Sequence, residues 1–365
     1  MANGELPTTL AEFKALAEQQ LATGTWDYVA GGAGDEHTLR DNEHAWQRAQ
    51  LWPHVLVDVG AVDTTLQLLD LNLAHPIVLA PTAAHAMYHD SAEAGSLAGA
   101  SAAGSLAVMS SLGSTPVAEI GRLTAEPWWL QLYVQSDRDF TIDLVERAIK
   151  YGATAMVVTV DTPLLGARDR DRRSGGHTVD GMQPPNLAPI SAPTSEGAAD
   201  DGPLYQRVYN PHLDPSLTWD TLDWLLEHSH VPVLVKGVIR ADDARRAVDH
   251  GAHGVIVSNH GARNLDTVAA TATALPAIAR TVAGQVPVLV DGGIRRGTDI
   301  AKALALGADA VLIGRPAVWG HAVGGAAGVE RVVDILRAEL IMAMALLGAP
   351  SLGDLTPDLV SQPAV

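Results

Sequence analysis

The stretch Ser258 to Asp266, SNHGARNLD, places an imidazole and a guanidinium three residues apart, directly after the apolar run Gly254-Val255-Ile256-Val257. Such a run reads as a buried strand, so both side chains leave the chain where the strand ends. His260 can take a proton near neutral pH, and Arg263 carries a permanent charge on a planar fork that fits a carboxylate. The pair suits proton abstraction from a substrate held by its carboxylate. Taken alone, a His-Gly-x-Arg motif reads more often as a turn histidine beside a surface arginine, so the decision rests on what else the fold brings to it. A second signal is phosphate binding. LVDGGIRRGTDIAKAL sets Gly292, Gly293 and Arg295 just before a helix, and LIGRP sets Gly314 and Arg315 just after the next apolar run. Backbone N–H groups, a helix N-terminus and two guanidinium groups form a site for a phosphate.

The elements that must position these residues follow from periodicity. Short apolar runs at Ile77–Ala80, Leu106–Met109, Trp129–Tyr133, Ala155–Val160, Val233–Val235, Val255–Val257, Val288–Val290 and Ala310–Ile313 alternate with helix-length amphipathic segments. Most begin roughly 25 residues apart, as when each strand pairs with the next through a crossover helix. The predicted fold is α/β: a (β/α)8 TIM barrel with an N-terminal helical extension and a long loop after the fourth strand. The chain is expected to be one domain over residues 1–365, with the extension over 1–75, a mobile active-site loop over 168–215 and a loosely held tail over 349–365. In the extension, Thr9 is the expected cap of a helix that Gly24 ends; a glycine-rich turn at Gly31, Gly32 and Gly34 precedes a helix carrying Asn42 and Trp46. Gly325 to Leu347 reads as one or two helices closing the ring.

Barrel chemistry sits at the C-terminal ends of the strands. Collected there are Thr82 and Ala83, Ser110, Gln131 and Tyr133, Thr159 and Asp161, Lys236, Ser258 to Arg263, Asp291 to Gly293, and Gly314 with Arg315. No metal is expected, because the chain has 14 histidines but no HExxH, and only Asp161 and Asp291 supply carboxylates among these ends. A formal charge of −18 argues against nucleic acid and anionic membrane surfaces as partners. No apolar run approaches the ~18 residues of a membrane span. The chain has no cysteine, and its start, MANGELPTTLAEFK, is unlike a signal peptide, so a cytoplasmic location is expected.

Over nearly the whole chain, roughly Thr9 to Leu355, the sequence resembles the FMN-dependent 2-hydroxy acid oxidase and dehydrogenase family, which includes glycolate oxidase, lactate oxidase and mandelate dehydrogenase. The resemblance is carried by SNHGARNLD, VDGGIRRGTDIAKALALGADAVLIGRP, QLYV at Gln131 to Val134, TVDTPLLGARDRD at Thr159 to Asp171, and LVKG at Leu234 to Gly237. APTAAH at Ala80 to His85 and ARDRD at Ala167 to Asp171 look most like lactate oxidase.

The resemblance implies FMN as cofactor and a role for each matching position. His260 would take the substrate's hydroxyl proton as the α-hydrogen leaves for flavin N5, with Asp161 orienting the imidazole. Arg263 and Arg168 would clamp the carboxylate, helped by Tyr28, and Tyr133 would contact the hydroxyl. Lys236 would face the flavin N1 and O2 edge. Thr82, Ala83, Ser110, Gln131, Thr159 and Ser258 would hold the ring, Asp291 the ribityl chain, and Gly292, Gly293, Arg295, Gly314 and Arg315 the phosphate. Ala84, Leu112 and Leu164 stand where an apolar substrate pocket is implied, without a second charge, which fits a small or medium aliphatic (S)-2-hydroxy acid. Molecular oxygen is the implied acceptor, from Ala83 and from a polar, proline-rich stretch at Gly175 to Pro203, and a homotetramer the implied assembly. Three other readings stand open: an FMN-dependent dehydrogenase or monooxygenase, a flavin-free barrel isomerase or aldolase on the same phosphate site, and a flavin-binding protein without turnover.

Overall fold

The computed structural model describes residues 6–174, 184–187 and 213–361. The chain opens with α1 (Leu10–Gln20), capped by Thr9: its hydroxyl accepts from the Glu12 N–H while the Glu12 carboxylate accepts from the Thr9 N–H. Gly24 does not end this helix. The chain leaves α1 at an extended Leu21, and Gly24 is buried inside α2 (Thr23–Ala30), whose apolar Trp26 and Val29 face the core. The glycine-rich turn follows, tied to two distant loops by Ala33 N–H to the Ala262 carbonyl and Gly34 N–H to the Ala167 carbonyl, each 2.8 Å. It leads into α3 (His37–Arg48), which carries Asn42 and Trp46 on its buried face.

The extension is not helical throughout. It also holds β1 (Gln50–Leu51) and an antiparallel hairpin of β2 (Leu66–Leu68) and β3 (Leu71–Leu73). In Leu-Gln-Leu and Leu-Asn-Leu the apolar residues recur every second position, the strand period rather than the helix period. Leu68 is fully buried, and the hairpin's other leucines pack against the barrel interior, sealing the side on which the strands begin.

From here strand and helix alternate: β4 (Ile77–Leu79), α4 (Ala92–Ala103), β5 (Ala107–Ser110), α5 (Val117–Leu123), β6 (Trp128–Leu132), α6 (Arg138–Lys150) and β7 (Ala153–Thr159). A short α7 (Asp169–Arg173) comes next, then α8 (Trp219–His228), β8 (Val233–Val238), α9 (Ala241–Asp249), β9 (Gly254–Val257), α10 (Thr271–Val282), β10 (Val288–Val290), α11 (Gly297–Ala305), β11 (Ala310–Ile313) and α12 (Arg315–Leu347). Strands β4 to β11 are parallel neighbours in chain order, and β11 pairs with β4 to close the barrel. All eight strand positions read from the sequence are present.

The barrel has two apolar layers. Val78, Val108, Trp129, Ala155, Val157, Leu234, Ile256, Leu289 and Leu312 fill the interior, while alternate strand residues such as Ile77, Met109 and Val255 pack outward against the helices. That double burial is why the strands read as continuous apolar runs. Helix α12 is broken by non-helical backbone at Gly324 and Gly325, so it arrives as two helical segments, and its packing against α4 and α1 closes the ring.

The tail is docked as far as it is described: β12 (Val360–Ser361) pairs antiparallel with β1, and Leu355, Leu359 and Val360 are buried. The described parts of the 168–215 stretch are likewise packed rather than free. Arg168, Asp171, Leu187, Leu213 and Asp214 are buried, and Asn186 is fully buried, with its amide bonded to Val117 N–H and the Thr115 carbonyl. Residues 175–183 and 188–212, including most of Gly175 to Pro203, lie outside the described residues.

Candidate active site

A deep pocket opens at the C-terminal ends of the strands, with about 1170 Å³ of empty space counting its mouth. It gathers eighteen of the residues picked from the sequence: Tyr28, Thr82, Ala83, Ser110, Leu112, Gln131, Tyr133, Thr159, Arg168, Lys236, His260, Arg263, Asp291, Gly292, Gly293, Arg295, Gly314 and Arg315. Asp161 and Ser258 stand one layer behind, bonded to residues that line it. Two expected wall residues, Ala84 and Leu164, are not among those lining the pocket. Ala84 is fully buried behind the wall, and after β7 it is Leu165, not Leu164, that faces the pocket. Tyr88 and Asn264 also line it and were not singled out from sequence for any role.

The His260 end is built by a left-handed turn. His260, Gly261 and Ala262 all have positive φ (57°, 60° and 63°), a conformation costly for the non-glycine residues. Asn259 offsets that cost by exchanging two amide hydrogen bonds with Asn42 of α3, at 2.8 and 2.9 Å, and by accepting from Ala262 N–H. The turn directs the His260 ring so that Nδ1 lies 2.8 Å from Asp161 Oδ1. Nε2 is thereby left for the pocket. Asp161 is held in turn by Thr162, whose hydroxyl donates to Oδ1 at 2.9 Å, and by Asn264, whose amide donates to the Asp161 carbonyl at 2.9 Å. Burial works to raise the Asp161 carboxyl, but the charge and hydrogen bond of His260 and the charge of Lys236 outweigh it and hold it below the usual carboxylate range. Gly237 makes this approach possible: its φ is +112°, and a Cβ there would stand 2.6 Å from the Asp161 Cβ.

Next to this pair stand two cations. The Arg263 guanidinium lies 4.8 Å from the centre of the Tyr28 ring and that of Arg168 lies 5.4 Å from it. Burial, then the charge of Arg168, push Arg263 below the ordinary arginine value, so an anion between them would be stabilised. Tyr133 completes this end. Burial and the Asp161 charge raise its phenol, which stays neutral and able to donate.

Across the mouth runs a polar chain. Ser110 Oγ donates to Gln131 Oε1 and Gln131 Nε2 donates to Thr159 Oγ1, both at 3.0 Å. Lys236 Nζ donates to Ser258 Oγ at 3.0 Å and pairs with Asp291 at 3.2 Å. The charges of Asp291 and Asp161 outweigh burial and raise the Lys236 ammonium, so it stays charged.

The far end carries Arg295 and Arg315. Arg295 pairs with Glu43 at 3.0 Å, and Arg315 donates to the carbonyls of Val29, Gly31 and Gly261, each at 2.9 Å. Burial, with Arg263 and Arg295 nearby, pushes Arg315 down to about 9. Two guanidinium groups at this end favour a bound anion of more than one charge. At Gly293 (φ +81°) a Cβ would stand 2.0 Å from the Asn42 carbonyl oxygen, so glycine is what lets this loop pack against α3. Asp291 Oδ1 is buried and makes no hydrogen bond, an acceptor suited to a polyol hydroxyl. These residues fit FMN: an anion cradle, an acceptor for its sugar chain, and a polar rim with a fixed ammonium.

Comparison with known proteins agrees with this geometry. The FMN-dependent dehydrogenase family matches residues 17–362, and the chain belongs to that family. It is 44% identical to an L-lactate oxidase of Nostoc sp. over 96% of each chain. It is 43% identical to a peroxisomal (S)-2-hydroxy-acid oxidase of Oryza sativa subsp. japonica, over 96% of this chain and 95% of that one. A crystal structure of mandelate oxidase superposes with a TM-score of 0.87 at 35% identity, over 97% of this chain and 98% of that one.

Proposed function

We propose that this FMN-dependent 2-hydroxy acid oxidase acts on a small or medium aliphatic (S)-2-hydroxy acid of the lactate kind, giving the 2-oxo acid, with O2 as acceptor and H2O2 as the second product. The observation that carries the reading is one pocket with the His260–Asp161 pair and the Arg168–Arg263 pair at one end and the Gly293, Arg295 and Arg315 cradle at the other. When bound, FMN accepts the two electrons that leave the substrate's α-carbon.

The chain's residues do the rest. Arg263 and Arg168 hold the substrate carboxylate, with Tyr28 between them as a further donor, and Tyr133 bonds the hydroxyl. His260 Nε2 takes the hydroxyl proton, and Asp161 fixes the tautomer and stabilises the imidazolium that forms. Lys236 stabilises negative charge at the cofactor's edge. Thr82, Ala83, Ser110, Gln131, Thr159 and Ser258 hold the ring, Asp291 the sugar chain, and Gly292, Gly293, Arg295, Gly314 and Arg315 the phosphate. Leu112 and Leu165 supply an apolar wall without charge, which supports an alkyl substituent.

Peroxide measured against (S)-lactate consumed tests the reading. One equivalent supports an oxidase; acetate and CO2 in place of pyruvate indicate a monooxygenase, and turnover only with an added electron carrier indicates a dehydrogenase. A preference for mandelate over lactate moves the substrate to the aryl class. A homotetramer belongs to the same proposal, supported by the exposed Trp52, Val55, Leu56, Met342 and Leu346, and light scattering checks it. So does cytoplasmic residence, consistent with a cysteine-free chain and checked by cell fractionation.

A further inference from the structure

We infer that Tyr88 is a specificity residue: its ring is a fixed wall at the carboxylate end of the pocket and restricts the acid's side chain to short alkyl groups. The inference rests on the proposed reading of that end as the place where the substrate carboxylate binds.

Tyr88 follows a single turn of 3-10 helix, His85–Met87, and is anchored at both ends. On the backbone side, Ala84 takes a left-handed conformation (φ 52°) and donates its N–H to the Leu112 carbonyl at 3.1 Å, joining this loop to the one after β5. Met87 N–H then returns to the Ala84 carbonyl at 2.9 Å and Tyr88 N–H to the His85 carbonyl at 3.0 Å. At the far end the phenol donates to the Ala83 carbonyl at 3.0 Å. The side chain is 7% exposed and contacts the His85 ring at a centroid distance of 6.0 Å. Swinging it aside would break a buried hydrogen bond and open a void, so the pocket cannot enlarge cheaply on this side.

Its electrical character suits a wall. Burial and the neighbouring Tyr28 raise the phenol well above its ordinary value, against the pull of Arg263 and Arg168. It therefore stays neutral, bonded to the Ala83 carbonyl, and leaves Arg168 and the Arg263 Nη2 to a carboxylate, the Arg263 Nη1 being held by the Tyr28 and Gly31 carbonyls. Leu112 and Leu165 line the same pocket. A neutral ring together with two leucines makes an apolar wall that accepts an alkyl group and brings no charge to pair with a charged one.

The test is equilibrium binding of unreactive carboxylates to the FMN-loaded protein, read from the perturbation of the flavin absorption spectrum, with propanoate, hexanoate and phenylacetate as probes. Wild type is expected to favour propanoate over phenylacetate. Tyr88→Leu, which removes the ring, should shift that ratio toward phenylacetate by about tenfold or more, the size of effect a changed apolar pocket gives. Tyr88→Trp should weaken hexanoate relative to propanoate, and Tyr88→Phe should keep the wild-type ranking. Should Tyr88→Leu fail to hold FMN, Tyr88→Trp and the wild-type ranking decide. Unchanged ratios in FMN-loaded Leu and Trp variants overturn the assignment of Tyr88 while the carboxylate site stands. If no carboxylate perturbs the spectrum of any form, wild type included, both the site and the assignment fall.

Discussion

His260 sits on backbone with φ 57°, where a glycine would be at ease, and it is held there by hydrogen bonds that begin in a different part of the chain. That arrangement makes its ring a fixed base. His260→Gln should keep FMN and lose about 10²- to 10⁴-fold in the rate of flavin reduction by substrate, checked by anaerobic stopped-flow. Asp161→Asn should lose rate in the same direction, because Nδ1 then lacks an anionic acceptor. Asp161 also bears on stability. Its carboxyl, like that of the buried Glu93, is held below the unfolded value, so each contributes stability that is fully present above the ordinary carboxylate range. That contribution is lost as pH falls through the depressed values, and Tm measured from pH 6 downward should decline most steeply there. At this scale the sequence was legible where a motif fixed residue type and strand end together, as for His260, Arg263 and Lys236. Thr162, Asn264 and Tyr88 were not, because each acts through a contact made only after loops from different strands meet.

Strands bring the site together and glycines let it close. The eight strands were readable because burial on both faces leaves near-continuous apolar runs. Strands β2 and β3 were hidden because each sets an exposed polar residue between two leucines in place of a continuous apolar run, and α2 was hidden by Gly24, which reads as a stop but packs inside the helix. Helix α2 carries Tyr28, and its C-terminal end is where two arginines meet. Arg263 donates to the Tyr28 and Gly31 carbonyls, and Arg315 to those of Val29 and Gly31. Cations favour a helix C-terminus, so the end of one helix couples the substrate and phosphate loops. Arg315→Ala should therefore weaken FMN binding and also raise KM, because the Tyr28 segment loses its tether. Titration with FMN and steady-state kinetics separate the two effects. Gly237→Ala should destabilise by about 1–3 kcal/mol and lower turnover, since it strains the backbone and pushes on Asp161. Thermal melts and stopped-flow reduction report each part.

At the scale of the whole molecule, N-terminal and C-terminal segments both support the site. Asn42 braces the His260 turn, the Trp46 indole donates to the Gly292 carbonyl at 2.8 Å, and β12 holds β1 just beyond α3. We propose on this ground that the chain behaves as one domain, so truncation after Pro350 should lower Tm and not merely shorten the tail. FMN should stabilise the fold by about 2.7 kcal/mol at a hundredfold excess over its Kd. Sulfate should recover part of that in FMN-free protein by neutralising Arg295 and Arg315, and chloride at equal ionic strength should recover less. The measurement that bears most directly on the central claim is anaerobic titration of the FMN-loaded protein with (S)-lactate and longer aliphatic 2-hydroxy acids, followed at the flavin absorption band. We expect full bleaching by the (S) acids, no bleaching by the (R) acids, and return of the band on admitting O2 with one equivalent of H2O2. A band left unchanged by every 2-hydroxy acid, in protein that carries FMN and wild-type His260, would contradict the account.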